Sequence, residues 1–177
     1  LRKKVDDLAA TFGGGGTAHT TVVVNNEHRE GNSGHKTNNS GSGMRSYSGQ
    51  ISFSYPAGWQ RSGNYPVPQV NTLFTRIVTP DQTAGISVWD IPASSPDQAL
   101  YMLKNQLAAL GQYITYQKVN QANGYSMYQG STSYNGGTFR WEGVFRSGGD
   151  GVVGLTMGGV NFAGYQGVFN SIITTIR

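Results

Sequence analysis

Three glycine-rich joints constrain this chain more than any other feature of its sequence. Asn123-Gly124, Asn135-Gly136-Gly137 and Gly148-Gly149-Asp150-Gly151 separate four runs rich in β-branched and aromatic residues: Tyr113 to Val119, Gly124 to Gly130, Thr138 to Arg146 and Val152 to Met157. Asn-Gly steps accept the positive φ angles that tight hairpin turns require. A parallel return would need a crossover of roughly a dozen residues or more, and none of these joints is that long. The four runs are therefore predicted to be consecutive antiparallel strands.

The clearest helix signal lies just upstream. In Ser95-Pro96-Asp97-Gln98 the serine can cap the N3 amide, and Pro96 takes the tolerant first helical position. Asp97 meets the positive end of the dipole, and Gln98 completes a capping box. Leu100, Leu103, Leu107 and Leu110 then share one stripe, and Gly111 stands where a C′ glycine ends a helix. Earlier in the chain, Ile51 and Phe53 alternate with Ser52 and Ser54 as a half-buried strand does. Tyr55-Pro56-Ala57-Gly58-Trp59 reads as a turn in which Pro56 fixes φ, Gly58 allows φ > 0 and Trp59 plugs the edge of the core. Further strands are predicted at Leu73 to Val78 and at Gly85 to Trp89, the latter with Ile86 and Val88 on one face and Ser87 and Trp89 on the other. Phe162, Tyr165, Phe169, Ile172, Ile173 and Ile176 return to helical spacing. The predicted order is β-β-β-α-β-β-β-β-α, an α+β fold with an antiparallel sheet of about six to seven strands flanked by helices.

Residues 1–43 read differently. Gly13 to Gly16, Asn25-Asn26, Asn38-Asn39 and Ser40-Gly41-Ser42-Gly43 leave Val22-Val23-Val24 as the only apolar run after Phe12. Such a composition buries too little surface to offset its ordering entropy. Residues 1–43 are expected to be a flexible Gly/Asn/Ser-rich tail or linker, and residues 44–177 the globular domain. Val5, Leu8 and Ala9 fall at helical spacing and suit the end of a helix continuing from a missing element, with a membrane anchor as one candidate. The chain opens at Leu1 without a methionine, as a processed form or a fragment does.

Composition removes several function classes. The 177 residues include no cysteine, so disulfide frameworks, thiol nucleophiles and cysteine-held metals are excluded. All three histidines, His19, His28 and His35, lie in the tail, and the domain therefore holds no Ser-His-Asp or Cys-His arrangement. Three dispersed tail histidines lack fixed metal geometry, so neither a metal nor a cofactor is expected. The net charge of +4 reflects 13 basic against 9 acidic residues spread along the chain. Nucleic-acid binding needs a patch that neutralises several phosphates together, and none is present in the sequence. No window approaches the roughly 20 apolar residues that span a bilayer, which leaves membrane association only through a missing upstream anchor.

What chemistry remains is concentrated at two tryptophans. Trp89 precedes Asp90, and Trp141 stands between Arg140 and Glu142, so Trp89, Asp90, Arg140, Trp141 and Glu142 are the candidate binding residues. Two carboxylates beside aromatic rings also suit a glycoside hydrolase. Against that reading, Arg140 and Arg146 flank Glu142 and make a cross-strand ion pair the simpler expectation. Tyr65, Tyr101, Tyr125, Tyr128 and Tyr134 are further candidates for a sugar or protein contact surface, or equally for the half-buried face of a sheet.

The order of landmarks over residues 49–177 resembles the PsbP-like family, named for an extrinsic subunit of the photosynthetic oxygen-evolving complex and shared by bacterial periplasmic proteins and lipoproteins. The resemblance rests on Phe53 with Tyr55-Pro56-Ala57-Gly58-Trp59, the Ile86-Ser87-Val88 strand, the Ser95-Pro96 helix start, Asn123-Gly124-Tyr125, and Phe169-Asn170-Ser171-Ile172-Ile173. It implies an α-β-α sandwich, a bacterial extracytoplasmic setting (periplasmic, cell-surface or secreted) and a binding or assembly role without catalysis. The partner so implied is a protein or an envelope component. The alternative is a structural subunit that forms homo-oligomers by adding the tail strand Val22, Val23 and Val24 to a neighbour's sheet edge. Because Trp59 is placed against the core, Trp59→Ala is expected to lower stability by about 3 to 5 kcal/mol, whereas His28→Ala leaves it unchanged; thermal melts of the two variants decide.

Overall fold

The computed structural model of the chain describes residues 43–67 and 72–177. Its elements are β1 (Met44–Tyr47), β2 (Phe53–Pro56), β3 (Gln60–Val67), β4 (Thr72–Val78), β5 (Ala84–Ile91), α1 (Pro96–Ala109), β6 (Tyr113–Ala122), β7 (Tyr125–Tyr134), β8 (Gly137–Ser147), β9 (Val152–Gly159) and α2 (Phe162–Ile173). Val22 to Val24 and the three histidines lie outside the described residues.

Seven strands form one sheet in the order β3-β4-β5-β9-β8-β7-β6, with β1 and β2 paired separately, and every pairing is antiparallel. The four C-terminal strands follow from their turns. Asn123 and Gly124 have φ of 52° and 78°, Asn135 and Gly136 have 48° and 78°, so both hairpins close through two residues in the left-handed region. After α1 the chain crosses to the far edge at β6 and meanders inward until β9 lies against β5. That last pairing is long-range: Ala84 faces Gly159 and Ile91 faces Val152.

Two cores result, one on each face of the sheet, as an α-β-α sandwich requires. Beneath α1, the side chains of Ala99, Leu100, Leu103 and Leu107 pack on Trp89, Ile114, Tyr128, Trp141 and Phe145. Beneath α2, Phe169 and Ile172 pack on Ile86, Val88, Val144, Leu155 and Met157, together with Phe53, Tyr55 and Trp59. Trp59 is buried and meets Tyr165 edge-on, with ring centroids 5.8 Å apart. Every residue of β9 is buried, as the strand lies between both cores.

Local details depart from the sequence reading in four places. The Pro56–Trp59 turn is closed by the Trp59 amide donating to the Pro56 carbonyl at 3.0 Å, and Gly58 is not among the positive-φ glycines. Ser95 Oγ accepts from the Gln98 amide at 3.2 Å as expected, but the Gln98 carboxamide oxygen takes the amide and hydroxyl of Ser94, at 2.7 and 2.6 Å, rather than the cap residue's own amide. Leu110 is the C-cap and only half-buried, because Gly111 at φ 76° turns the chain; the amides of Gln112 and Gly111 then return to the carbonyls of Leu107 and Ala108. Finally, β1 and β3 carried no strand signal: β3 reads QRSGNYPV, and it exists by pairing with β4 across a bulge between Arg61 and Asn64. Its Pro66 is tolerated because β3 is an edge.

Glycines make room for the rings of the α1 core. Trp141 lies between Gly130 and Gly158 on its two neighbouring strands, Tyr128 faces Gly143, and Gly154 separates Phe145 from Trp89. A Cβ at Gly154 would overlap the Phe145 ring. Gly154→Ala is therefore expected to destabilise the fold by about 1 to 3 kcal/mol, the range for overpacking a close-packed core. Gly149→Ala, where an added Cβ meets nothing within 4 Å, should stay within about 0.5 kcal/mol of the parent in the same denaturant titration.

Candidate functional site

Alternation along a strand sends neighbouring residues to opposite faces of the sheet. Trp89 and Trp141, each 1% exposed, point into the α1 core, where Trp89 Nε1 donates to Thr156 Oγ1 at 2.9 Å. Their neighbours Asp90, Arg140 and Glu142 project on the α2 side. The structure thus divides the five candidate residues: the two rings are core, and the three polar groups belong to the other face.

Those polar groups do not converge on a reacting centre. Ile86 and Glu142 both face Met157, and Asp90 lies four residues further along β5. Two strand spacings across and four residues along place the Cα atoms of Asp90 and Glu142 roughly 16 Å apart, a gap that these short side chains, both standing off the same face, do not close. Paired glycosidase carboxylates stand about 5 to 9.5 Å apart, so this pair does not serve that chemistry. Arg140 and Arg146 share Glu142's own strand, which replaces the expected cross-strand ion pair; Glu142 Oε1 instead accepts from Gln166 Nε2 of α2 at 2.8 Å. Asp90 Oδ2 accepts from Gln50 Nε2 at 2.8 Å, and the Gln50 carbonyl accepts from Arg146 Nη2 at 2.9 Å. Arg146 also lies over the Tyr125 ring, 5.1 Å from its centroid.

The α2 helix covers the middle of its face, and among the described residues no helix lies over the outer part, formed by β6, β7 and the start of β8. Three cross-strand rows occur there: Tyr113–Ser133–Thr138, Thr115–Ser131–Arg140 and Gln117–Gln129–Glu142. The Thr115 and Ser131 hydroxyls are hydrogen-bonded at 2.8 Å and those of Ser133 and Thr138 at 3.1 Å. Arg140 is exposed, with its guanidinium 5.7 Å from the Phe162 ring centroid. A shallow groove of about 380 Å³ runs between these side chains, bounded by Thr115, Tyr116, Gln117, Gln129, Gly130, Ser131 and Arg140. Of these, the sequence had singled out only Arg140. The β7–β8 register follows from the Asn135-Gly136 turn and was legible; the β6–β7 register was not, because a bulge between Lys118 and Asn120 shifts the pairing by one residue.

Titration behaviour marks structural ties rather than a catalytic group. Tyr128 is raised by burial, and its hydroxyl donates to Asp97 Oδ1 at 2.7 Å, joining β7 to the first turn of α1. Asp81, in the β4–β5 turn, is lowered to about 2, first by the Thr79 hydroxyl at 2.6 Å and then by the Thr83 amide at 3.1 Å. Among the described residues no group of three or more His, Cys, Asp or Glu gathers in metal-binding range.

The sheet order, the two helices and the two cores define a PsbP-like α-β-α sandwich. The solution structure of cyanobacterial PsbP (CyanoP) from Synechocystis sp. PCC 6803 is similar in fold, with a TM-score of 0.52 and 13% sequence identity, covering 81% of this chain and 97% of that one. No protein-family model matches the chain, and no curated protein does.

Asp81 generates a pH prediction with a definite sign. Its folded pKa lies below the ordinary 3.8, so its contribution is complete above about pH 4 and is lost as pH falls toward 2. Melting curves of Asp81→Ala are expected to show a lower Tm than the parent at pH 7, and the difference should shrink toward pH 2.

Proposed function

We propose that residues 44–177 are a non-catalytic binding or assembly module acting outside the cytoplasm, with residues 1–43 as its tether. The observation that carries this reading is the pairing of two facts about the domain. Asp90 and Glu142 lie far apart and are each engaged by a glutamine side chain, and one face of the sheet presents paired hydroxyls, two glutamine amides and the Arg140 guanidinium to a shallow groove. Binding surfaces have that form, with polar groups held rigidly by a scaffold and no matched acid and base beside them. The fold likeness supports the same reading at the level of architecture, and the extracytoplasmic setting is carried by the resemblance of the landmarks in 49–177. A protein or an envelope component is the partner class so implied. Screening the chain against ester, peptide and glycoside substrates is expected to yield no turnover; activity abolished by Glu142→Gln would overturn the proposal.

The open edge of β6 favours one second reading. It is the last strand of the sheet, ten residues long, with Lys118 as its only charged residue, and its outer main-chain groups have no strand partner among the described residues. A tail strand containing Val22, Val23 and Val24 from another copy has the chemistry to add there. Light scattering of the chain at high concentration reads it: assembly that Val23→Pro abolishes, with Tm intact, supports strand addition, and a monomer in both cases dismisses it.

A further inference from the structure

The groove beyond α2 holds polar groups that the described part of the fold engages only in part. Gln117 and Gln129 stand directly opposite each other on β6 and β7, and among the described residues neither side-chain amide is hydrogen-bonded. One row away, Thr115 and Ser131 share one hydrogen bond between their hydroxyls and keep acceptor capacity beyond it, and Arg140 completes that row on β8. Arg140 is held over the Phe162 ring and faces no carboxylate; Glu142, two residues along the same strand, is engaged by Gln166. Tyr113, 62% exposed, flanks the rows at the sheet edge.

The occupant follows from what each group recognises. Carboxamides and hydroxyls both donate and accept, which matches the hydroxyls of a sugar ring; within a cross-strand row neighbours stand ~4.8 Å apart, and adjacent rows are ~6.6 Å apart. The exposed ring of Tyr113 offers a flat apolar face of the kind a pyranose stacks on. The one aromatic residue in the lining, Tyr116, packs its ring against the α1 core on the opposite face, which leaves an apolar peptide side chain little to enter, and a nucleic acid would find one cation where several are needed. The unpaired guanidinium is suited to a carboxylate, which it can hold through two parallel hydrogen bonds. We propose that the face formed by β6, β7 and the start of β8 binds an acidic glycan, with Arg140 holding a uronic-acid carboxylate and Gln117 and Gln129 holding the sugar hydroxyls. The inference rests on the binding-module reading and specifies its ligand.

Calorimetric titration of the full chain with an oligogalacturonate, beside a neutral cello-oligosaccharide of equal length, tests it. The acidic oligomer is expected to bind at least about tenfold more tightly than the neutral one, and Arg140→Gln to remove that advantage. The double variant Gln117→Ala, Gln129→Ala is expected to weaken the acidic oligomer severalfold. Lys104→Gln, on α1 at the opposite face, should leave it unchanged. All the substituted residues except the half-buried Gln129 are exposed, and an unaltered melting temperature for each variant confirms that binding alone has changed. Absence of binding, equal affinity for the two oligomers, unchanged affinity in Arg140→Gln or in the double variant, or an equal loss in Lys104→Gln each overturns the inference and leaves the non-catalytic module standing. Shortening of the oligomer during titration, read by chromatography of the products, overturns the module reading instead.

Discussion

The antiparallel pairing of β5 with β9 is the interaction on which the rest depends. It joins strands separated by α1 and the whole β6–β8 meander, and it places Trp89 beside Gly154 and Ile86 beside Met157. Because both strands are covered on both faces, each of their main-chain groups must find its partner in the ladder, or an unsatisfied polar group would be buried. The same ladder separates the two hydrophobic cores. Shifting it by one residue would exchange their side chains, sending Trp89 toward α2 and Val88 toward α1.

The cores are unequal in construction. On the α1 side, large rings are fitted against glycines on adjacent strands, and one polar tie, Tyr128 to Asp97, fixes the helix start over the sheet. On the α2 side, aliphatic residues of the central strands meet the final helix, while β2 and Trp59 close one end. Since α2 is centred over β8, β9 and β2, no described element covers β6 and β7 on that face. Among the described residues the sheet is wider than the helix that lies on it, and the side chains beyond the helix are polar where a core would be apolar.

A PsbP-like architecture at 13% identity constrains shape and says little about chemistry, since a shared fold hosts many functions and the site decides among them. In this chain the site-level facts are concrete. Glu142 and Asp90 are engaged by glutamines and widely separated, whereas Arg140 meets the Phe162 ring and the two facing glutamine amides have no hydrogen bond among the described residues.

By itself the sequence determined everything set by short-range chemistry. Asn123-Gly124 and Asn135-Gly136 dictate two-residue hairpins because left-handed backbone is inexpensive only for such residues; Ser95, Pro96 and Gly111 dictate where α1 begins and ends. Strand alternation also held in advance that Trp89 and Asp90, being neighbours, must face opposite ways, a signal that reading the two as one site passed over. Tertiary structure alone decided three things. It made strands of β1 and β3, whose own propensities are weak, by supplying partners for their main chains. It chose β5 as the neighbour of β9, a contact no local pattern encodes. And through the bulge after Lys118 it set Gln117 against Gln129 and Thr115 against Ser131, because a single extra residue in one strand of a pair moves every cross-strand partner beyond it, and where that residue falls is decided by packing on both sides of the sheet.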